Sequence, residues 1–380
     1  MNRRATATSV LVYHIGSLGD TLMAAPALWA LRAHWPAAHV ALLTKRTQFG
    51  HVVLSGSLFE GAGLFDEVLH YPGSRYGDDT ISQRLQQIGL LLRLRARRFD
   101  AVVYLAPSER QPAQVSRDEH FFRLAGIPMR VGFAGFPEPP SRTRHPLPEL
   151  PTEAQALLER LRGAGIPVPP LAEARRDLGL DASERAAVDA WRASQPENDG
   201  GRRWLALGPG SNMPAKLWPS ARLAAVAAAL AEEFDLWPVV FGGPEDEAVG
   251  ATLVRDLGRG YNAAGALAPR AAAAAMRACA AYVGNDTGTM HLAASEGVPC
   301  VAVFSARDFP GKWHPIGVGH RVIRLRPDCE GCMLERCEQH AMRCLLDIGV
   351  AEVLAAARET LARRLAAPTA ARDREARATP

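Results

Sequence analysis

One pattern recurs along the chain: a short apolar run, a turn of glycine and other small residues, then a stretch with apolar positions at helical spacing. Residues 10–15 lead through Gly16-Ser17-Leu18-Gly19-Asp20 into a helical run over 21–35 that Pro36 stops. The pattern returns at 204–207, before Gly208-Pro209-Gly210-Ser211 and a helix over 220–234. It returns again at 238–241, before Gly242-Gly243-Pro244 and a helix over 245–257. Strands alternating with helices make a parallel sheet covered on both faces. Ligands of such sheets sit at the carboxyl ends of the strands, where each of these turns falls.

The remaining runs fill in two such halves. Strands are expected at 39–44, 67–71, 101–105 and 129–133, and helices at 81–98, 114–126, 152–165 and 183–192. A loop rich in proline and arginine covers 137–151. Further on, a helix over 270–279 and a strand at 300–304 are expected. At 380 residues the chain suits two domains, each with its own core. The expected division is 1–175, 176–350, a terminal helix at 351–365 and a charged, disordered tail at 366–380.

Hydrophobic residues make up 48% and charged residues 22%, the balance of a soluble globular protein. No run approaches the roughly 20 apolar residues that span a bilayer, and residues 1–9 lack the apolar centre of a secretory signal. A cytoplasmic protein is expected, whose six cysteines are no disulfide framework. The net charge of +4 suits an anionic substrate or an acidic membrane surface, and no aromatic-and-basic motif argues for nucleic acid. The basic run at 93–98 suits either anionic lipid or a solvated helix end.

The most informative turn lies within 282–294. Apolar residues 280–283 give way to a turn at Gly284-Asn285-Asp286, and a helix-like run starts at Met290. Thr287, Gly288 and Thr289 thus fall at a helix N-terminus, where unpaired N–H groups and the positive end of the helix dipole receive an anion. Asp286 and Thr287 suit plain helix caps as well. Lys216, on the loop that follows Ser211, is either a point charge for a diphosphate or an ordinary surface lysine. No Gly-x-Gly-x-x-Gly fingerprint and no Walker lysine is present, which disfavours nicotinamide and P-loop enzymes.

Cys329, Cys332, Cys337 and Cys344 form C-x2-C-x4-C-x6-C, a spacing that suits a metal site in a reducing compartment or a set of reduced thiols on a loop. Cys279 and Cys300 read as core residues.

Asp20 in Gly-Ser-Leu-Gly-Asp, Lys216 in Lys-Leu-Trp-Pro, Gly242-Gly243-Pro244 and the stretch from Asp286 to Ala294 stand in the order found in glycosyltransferase family 9. From about Val10 to Leu361 the chain resembles these bacterial heptosyltransferases. The resemblance implies a GT-B fold: two Rossmann-like doubly wound domains facing a central cleft, the first binding acceptor and the second a nucleotide sugar. It implies that Asp20 is the general base, with Ser17 and Gly19 beside it at the substrate. Lys216 and the turn of Thr287, Gly288 and Thr289 would hold the donor diphosphate, with Ser211 offering a hydroxyl beside the lysine and Met290 and His291 counted in the donor site; Asp286 would orient that turn or the sugar hydroxyls, and Glu245 or Asp246 would meet the ribose. Asp20 also suits the N-cap of a helix from Thr21, and His291 a packing role.

The implied reaction moves heptose from ADP-heptose onto the inner core of lipopolysaccharide, by direct displacement with inversion. It implies work at the inner face of the inner membrane. No cofactor is implied for catalysis, and the cysteine cluster would hold a structural zinc or iron. Rival readings are a nucleotide-sugar epimerase, a protein-directed heptosyltransferase and a non-catalytic scaffold. Donor turnover without acceptor would mark the epimerase, and nucleotide binding indifferent to Asp20 the scaffold. Donor and acceptor choice rest on loops such as 110–118 and 136–145, where spacing is silent.

Overall fold

The computed structural model describes residues 7–45, 55–72, 81–138, 140–143 and 145–366. The tail from 367 and the first six residues, like Pro139 and Arg144 of the proline-rich loop, lie outside the described residues. The chain divides into two compact units, one of 1–139 with 153–179 and one of 140–152 with 180–380.

The first unit runs β1 Ser9–Tyr13, α1 Leu18–His34, β2 His39–Lys45, α2 Ser55–Leu58, β3 Glu67–Tyr71, α3 Ile81–Arg97, β4 Ala101–Tyr104, α4 Pro112–Leu124, β5 Met129–Val131 and α5 Glu153–Gly163. Its five strands are parallel and ordered β3-β2-β1-β4-β5. The order reverses between β1 and β4. A ligand-binding crevice opens at such a switch point, outside the carboxyl ends of the strands.

The second unit runs α6 Ala182–Ala193, β6 Trp204–Gly208, α7 Ser220–Glu233, β7 Trp237–Val240, α8 Glu247–Leu257, β8 Tyr261–Asn262, α9 Pro269–Met276, β9 Cys279–Asn285, α10 Gly288–Ser295, β10 Cys300–Phe304, β11 Arg321–Arg324, α11 Arg343–Leu346 and α12 Val350–Ala366. Its parallel sheet is ordered β11-β10-β9-β6-β7-β8, with the switch between β6 and β9. β6, β9 and β10 are buried along their whole length, as continuous apolar strands between two helical layers must be. α12 closes this unit by placing Val353, Ala357 and Leu361 in the core beside β9 and β10.

Three departures from the sequence expectation have local causes. β9 starts at Cys279, which the expectation had ending a helix, and continues through Gly284 and Asn285, which it had in a turn. Gly284 can stay in the ladder because Gly208 lies opposite it; an added Cβ on Gly284 would stand 2.4 Å from the Gly208 carbonyl oxygen. α1 starts three residues earlier than Thr21: Ser17 is its N-cap and Asp20 its N3 residue, closing a capping box. Finally, β8 and β11 were not expected, since one has two residues and the other is only Val322 and Ile323 between two arginines at the sheet edge.

Candidate functional site

In the first unit, the turn after β1 sets Asp20 at the carboxyl edge of the sheet. The Ser17 N–H and Ser17 Oγ each donate to Asp20 Oδ2 at 2.7 Å. Both bonds fall on one oxygen, and among the described residues no hydrogen bond reaches Oδ1. Asp20 is half-buried, Ser17 is exposed and Gly19 is half-buried. Gly16 lets the turn fold over the carboxylate, for a Cβ there would meet the Asp20 Cβ at 2.4 Å. Behind the turn, the His14 ring is 1% exposed, with Nδ1 2.9 Å from the Leu105 carbonyl and Nε2 3.2 Å from Thr21 Oγ1. Burial pushes the His14 pKa down, which favours the neutral ring, while the Thr21 hydroxyl beside Nε2 donates to the Ser17 carbonyl at 2.8 Å.

The end of β4 contributes a network that the spacing of residues did not announce. Asp118 is buried; its Oδ2 accepts from Tyr104 OH and from Arg110 Nη2, each at 2.7 Å, and its Oδ1 from Arg117 Nη2 at 2.9 Å. Arg110 also reaches Tyr13 OH at 3.3 Å. Burial pushes the Tyr104 phenol up, so it stays protonated and serves as a donor. The only available sequence signal was the placement of 110–118 after a strand at the switch point.

In the second unit, two strand ends meet at the switch point. Lys216 Nζ lies 2.7 Å from Asp286 Oδ2, with the lysine side chain 16% exposed and the aspartate 8%. Asn285, the last residue of β9, ties down the lysine loop at two places. Its Oδ1 accepts from the Trp218 N–H at 3.1 Å and its Nδ2 donates to the Pro209 carbonyl at 2.6 Å. Lys216 itself ends a single 3-10 turn, Pro214–Lys216, closed by its N–H on the Met213 carbonyl at 2.9 Å. Asn285 was read as a turn residue, and only the long-range pairing reveals it as the clasp.

The helix N-terminus expected after Asp286 is present. Thr287 occupies the N-cap position of α10, but its side chain makes no cap bond. The first-turn N–H groups of Gly288 and Thr289 therefore have no partner within the helix. Tyr282 backs the turn with its buried phenol 3.3 Å from Thr289 Oγ1. Met290 is fully buried and its N–H is used on the Thr287 carbonyl at 3.1 Å, so the structure does not bring it to this surface. His291 is 5% exposed and engaged with its neighbours.

The other named residues gather beside the same strand ends. Asp246 Oδ2 accepts from the Gly243 N–H at 3.0 Å, and the carboxylate occupies the space that Cβ atoms on Gly210 and Gly242 would need. Burial pushes its pKa up, and Glu245 adds to that. Glu245 is exposed, whereas Ser211 Oγ accepts from the Met213 N–H at 3.2 Å and so shapes the lysine loop.

The cysteine cluster behaves differently. Cys329, Cys332, Cys337 and Cys344 are all free and half-buried. Burial raises the pKa values of Cys329 and Cys344, and the neighbouring thiols raise them further. Among the described residues no group of three His, Cys, Asp or Glu side chains stands in metal-ligating geometry.

Comparison with known proteins bears on the family and the fold. A family model described as glycosyltransferase family 9 (heptosyltransferase) matches residues 93–343. Lipopolysaccharide heptosyltransferase 2 of Escherichia coli K12 is 34% identical over 132 residues, a match covering 33% of this chain and 37% of that relative. The E. coli ADP-heptose lipopolysaccharide heptosyltransferase II structure superposes with a TM-score of 0.66 at 21% identity, covering 94% of this chain and all of the other. A family 9 glycosyltransferase from Veillonella parvula gives 0.69 at 20% identity, with 95% and 99% covered. The fold is thus that of the GT-B enzymes, and the chain belongs to glycosyltransferase family 9, the heptosyltransferases.

Proposed function

We propose that this chain transfers a sugar, heptose from ADP-heptose, directly onto a hydroxyl of a lipopolysaccharide inner-core acceptor, with inversion at the anomeric carbon. The observation that carries the reading is the Lys216–Asp286 pair beside the open first turn of α10. A leaving nucleoside diphosphate gathers negative charge as the glycosidic bond breaks. A lysine held on a clasped loop and two backbone N–H groups at a helix N-terminus are suited to that charge, because they need no rearrangement when it develops. The Lys216–Asp286 contact keeps the ammonium at the turn in the absence of donor.

Asp20 is the residue for the acceptor proton. Its Oδ2 holds the Ser17 cap, and its Oδ1 has no partner among the described residues, so one carboxylate serves the helix and the reaction at once. No enzyme nucleophile is required in a single displacement. We assign the first unit to the acceptor and the second to the donor on these grounds. Glu245, at the end of β7, is better exposed than Asp246 for a ribose hydroxyl.

The names of the E. coli relatives, lipopolysaccharide heptosyltransferase 2 and ADP-heptose lipopolysaccharide heptosyltransferase II, support the choice of donor and acceptor. The lipid-bearing acceptor favours work at the inner face of the inner membrane, and no helix among the described residues is long and apolar enough to cross a membrane. Incubation with ADP-heptose and a heptose-deficient lipopolysaccharide tests the proposal, with NMR of the product to read the anomeric configuration. Retention of configuration would refute the direct displacement, and donor turnover without acceptor would favour the epimerase.

A further inference from the structure

One helix face in the first unit is unused by the transfer chemistry. On α3, Leu85, Ile88 and Leu92 are 62%, 52% and 61% exposed, and their spacing puts them on one side of the helix. Leu90 and Leu94 point the other way, into the core, at 3% and 0% exposure. Leu124 at the end of α4 is 48% exposed and adjoins the stripe, since Arg95 Nη1 donates to its carbonyl at 3.1 Å. By helical spacing, Arg84 and Arg95 border the stripe on one side and Arg93 on the other, Arg97 turns away to pair with Glu67, and α3 contains no aspartate or glutamate.

We infer that this face docks the first unit on an anionic lipid surface. Aliphatic side chains flanked by Arg84, Arg95 and Arg93 fit the boundary between acyl chains and phosphate headgroups, with the arginine stems lying along the apolar layer and their charges in the headgroups. A second copy of this face would set arginines against arginines. The stripe has no aromatic anchor of the kind that centres protein interfaces. α3 follows β3 and runs back against the strands, so its Arg84–Ile88 end lies toward the carboxyl edge that also carries Asp20. A membrane-borne acceptor would be met at that edge; this last step rests on the proposed transfer, and the docking itself does not.

Co-sedimentation of the full chain with phosphatidylcholine vesicles, with and without phosphatidylglycerol, tests the inference. The wild type is expected to bind the anionic vesicles at low salt and to release them at high salt. Arg84→Gln with Arg93→Gln should weaken partitioning by about 25-fold, roughly fivefold per arginine. Leu85→Ser with Ile88→Ser and Leu92→Ser should weaken it at least as much, and both variants should keep the wild-type melting temperature and transfer to a water-soluble acceptor. Absence of wild-type binding, or equal binding by the variants, overturns the docking. A wild-type dimer that the serine variant dissociates would also overturn it, showing a face between copies. Should the wild type bind vesicles as expected yet transfer no sugar to any acceptor, the transfer reading fails and the docking stands.

Discussion

Asn285 holds the loop of Lys216 from both ends, accepting from Trp218 and donating to Pro209, while the next residue, Asp286, takes the lysine itself at 2.7 Å. One strand end thus fixes the backbone and the charge of the neighbouring strand's loop. Asn285→Ala should cost about 1–3 kcal/mol of stability, because two buried backbone groups lose their partners. Asn285→Asp should be no better, since it sets a carboxylate oxygen against the Pro209 carbonyl. Denaturant unfolding reads the stability, and calorimetry with ADP should show weaker binding in both variants.

Removing Lys216 has two separable effects. Lys216→Ala leaves Asp286 nearly buried without its cation, for an expected loss of about 1–3 kcal/mol. The double variant with Asp286→Ala should regain most of that stability. Turnover should stay depressed roughly 100- to 1000-fold in both, because the charge that meets the leaving group is missing. A double variant with restored turnover would remove the lysine from the mechanism.

The glycines separate into those that are required and those that are not. Gly284→Ala should destabilise the second unit by several kcal/mol, since its Cβ would press on the Gly208 carbonyl, which cannot give way. Gly89→Ala, in the exposed middle of α3 with nothing within 4 Å, should stabilise by about 0.5–1 kcal/mol. Thermal melts of the two variants should move in opposite directions.

His14 predicts an acid-side loss of stability. Burial holds its folded pKa below the usual value of about 6.5, against the opposing influences of the Leu105 carbonyl and Asp20. The unfolded chain therefore takes up this proton first as pH falls, so the contribution is full above about pH 6.5 and is lost below it. Unfolding free energy should decline in that range, less steeply in His14→Gln. His314 is depressed by the same cause and should leave a residual slope.

Much of the architecture was legible because continuous apolar runs such as Cys300–Phe304 can only be buried parallel strands, and glycine turns after them mark strand ends. The order of Asp20, Lys216 and Asp286 along those ends was likewise open to a reader of the sequence. What spacing could not express was pairing at long range: Asn285 with Trp218 and Pro209, or Asp118 with Tyr104 and Arg110. The proline-rich segment 140–152 belongs with the second unit for a similar reason, since the Leu147 N–H donates to the buried Glu330 carboxylate at 2.9 Å. Cysteine spacing marked out the cluster, but not that the other three thiols come close enough to Cys344 to help raise its pKa.

The most direct measurement compares wild type with Asp20→Asn for transfer from ADP-heptose to heptose-deficient lipopolysaccharide, alongside calorimetry with ADP. The asparagine keeps an oxygen for the Ser17 donors and removes only the base. Turnover should fall roughly 100- to 10,000-fold with the melting temperature and ADP affinity unchanged. Wild-type turnover by the asparagine variant, or a wild type inert with ADP-heptose, would contradict the account.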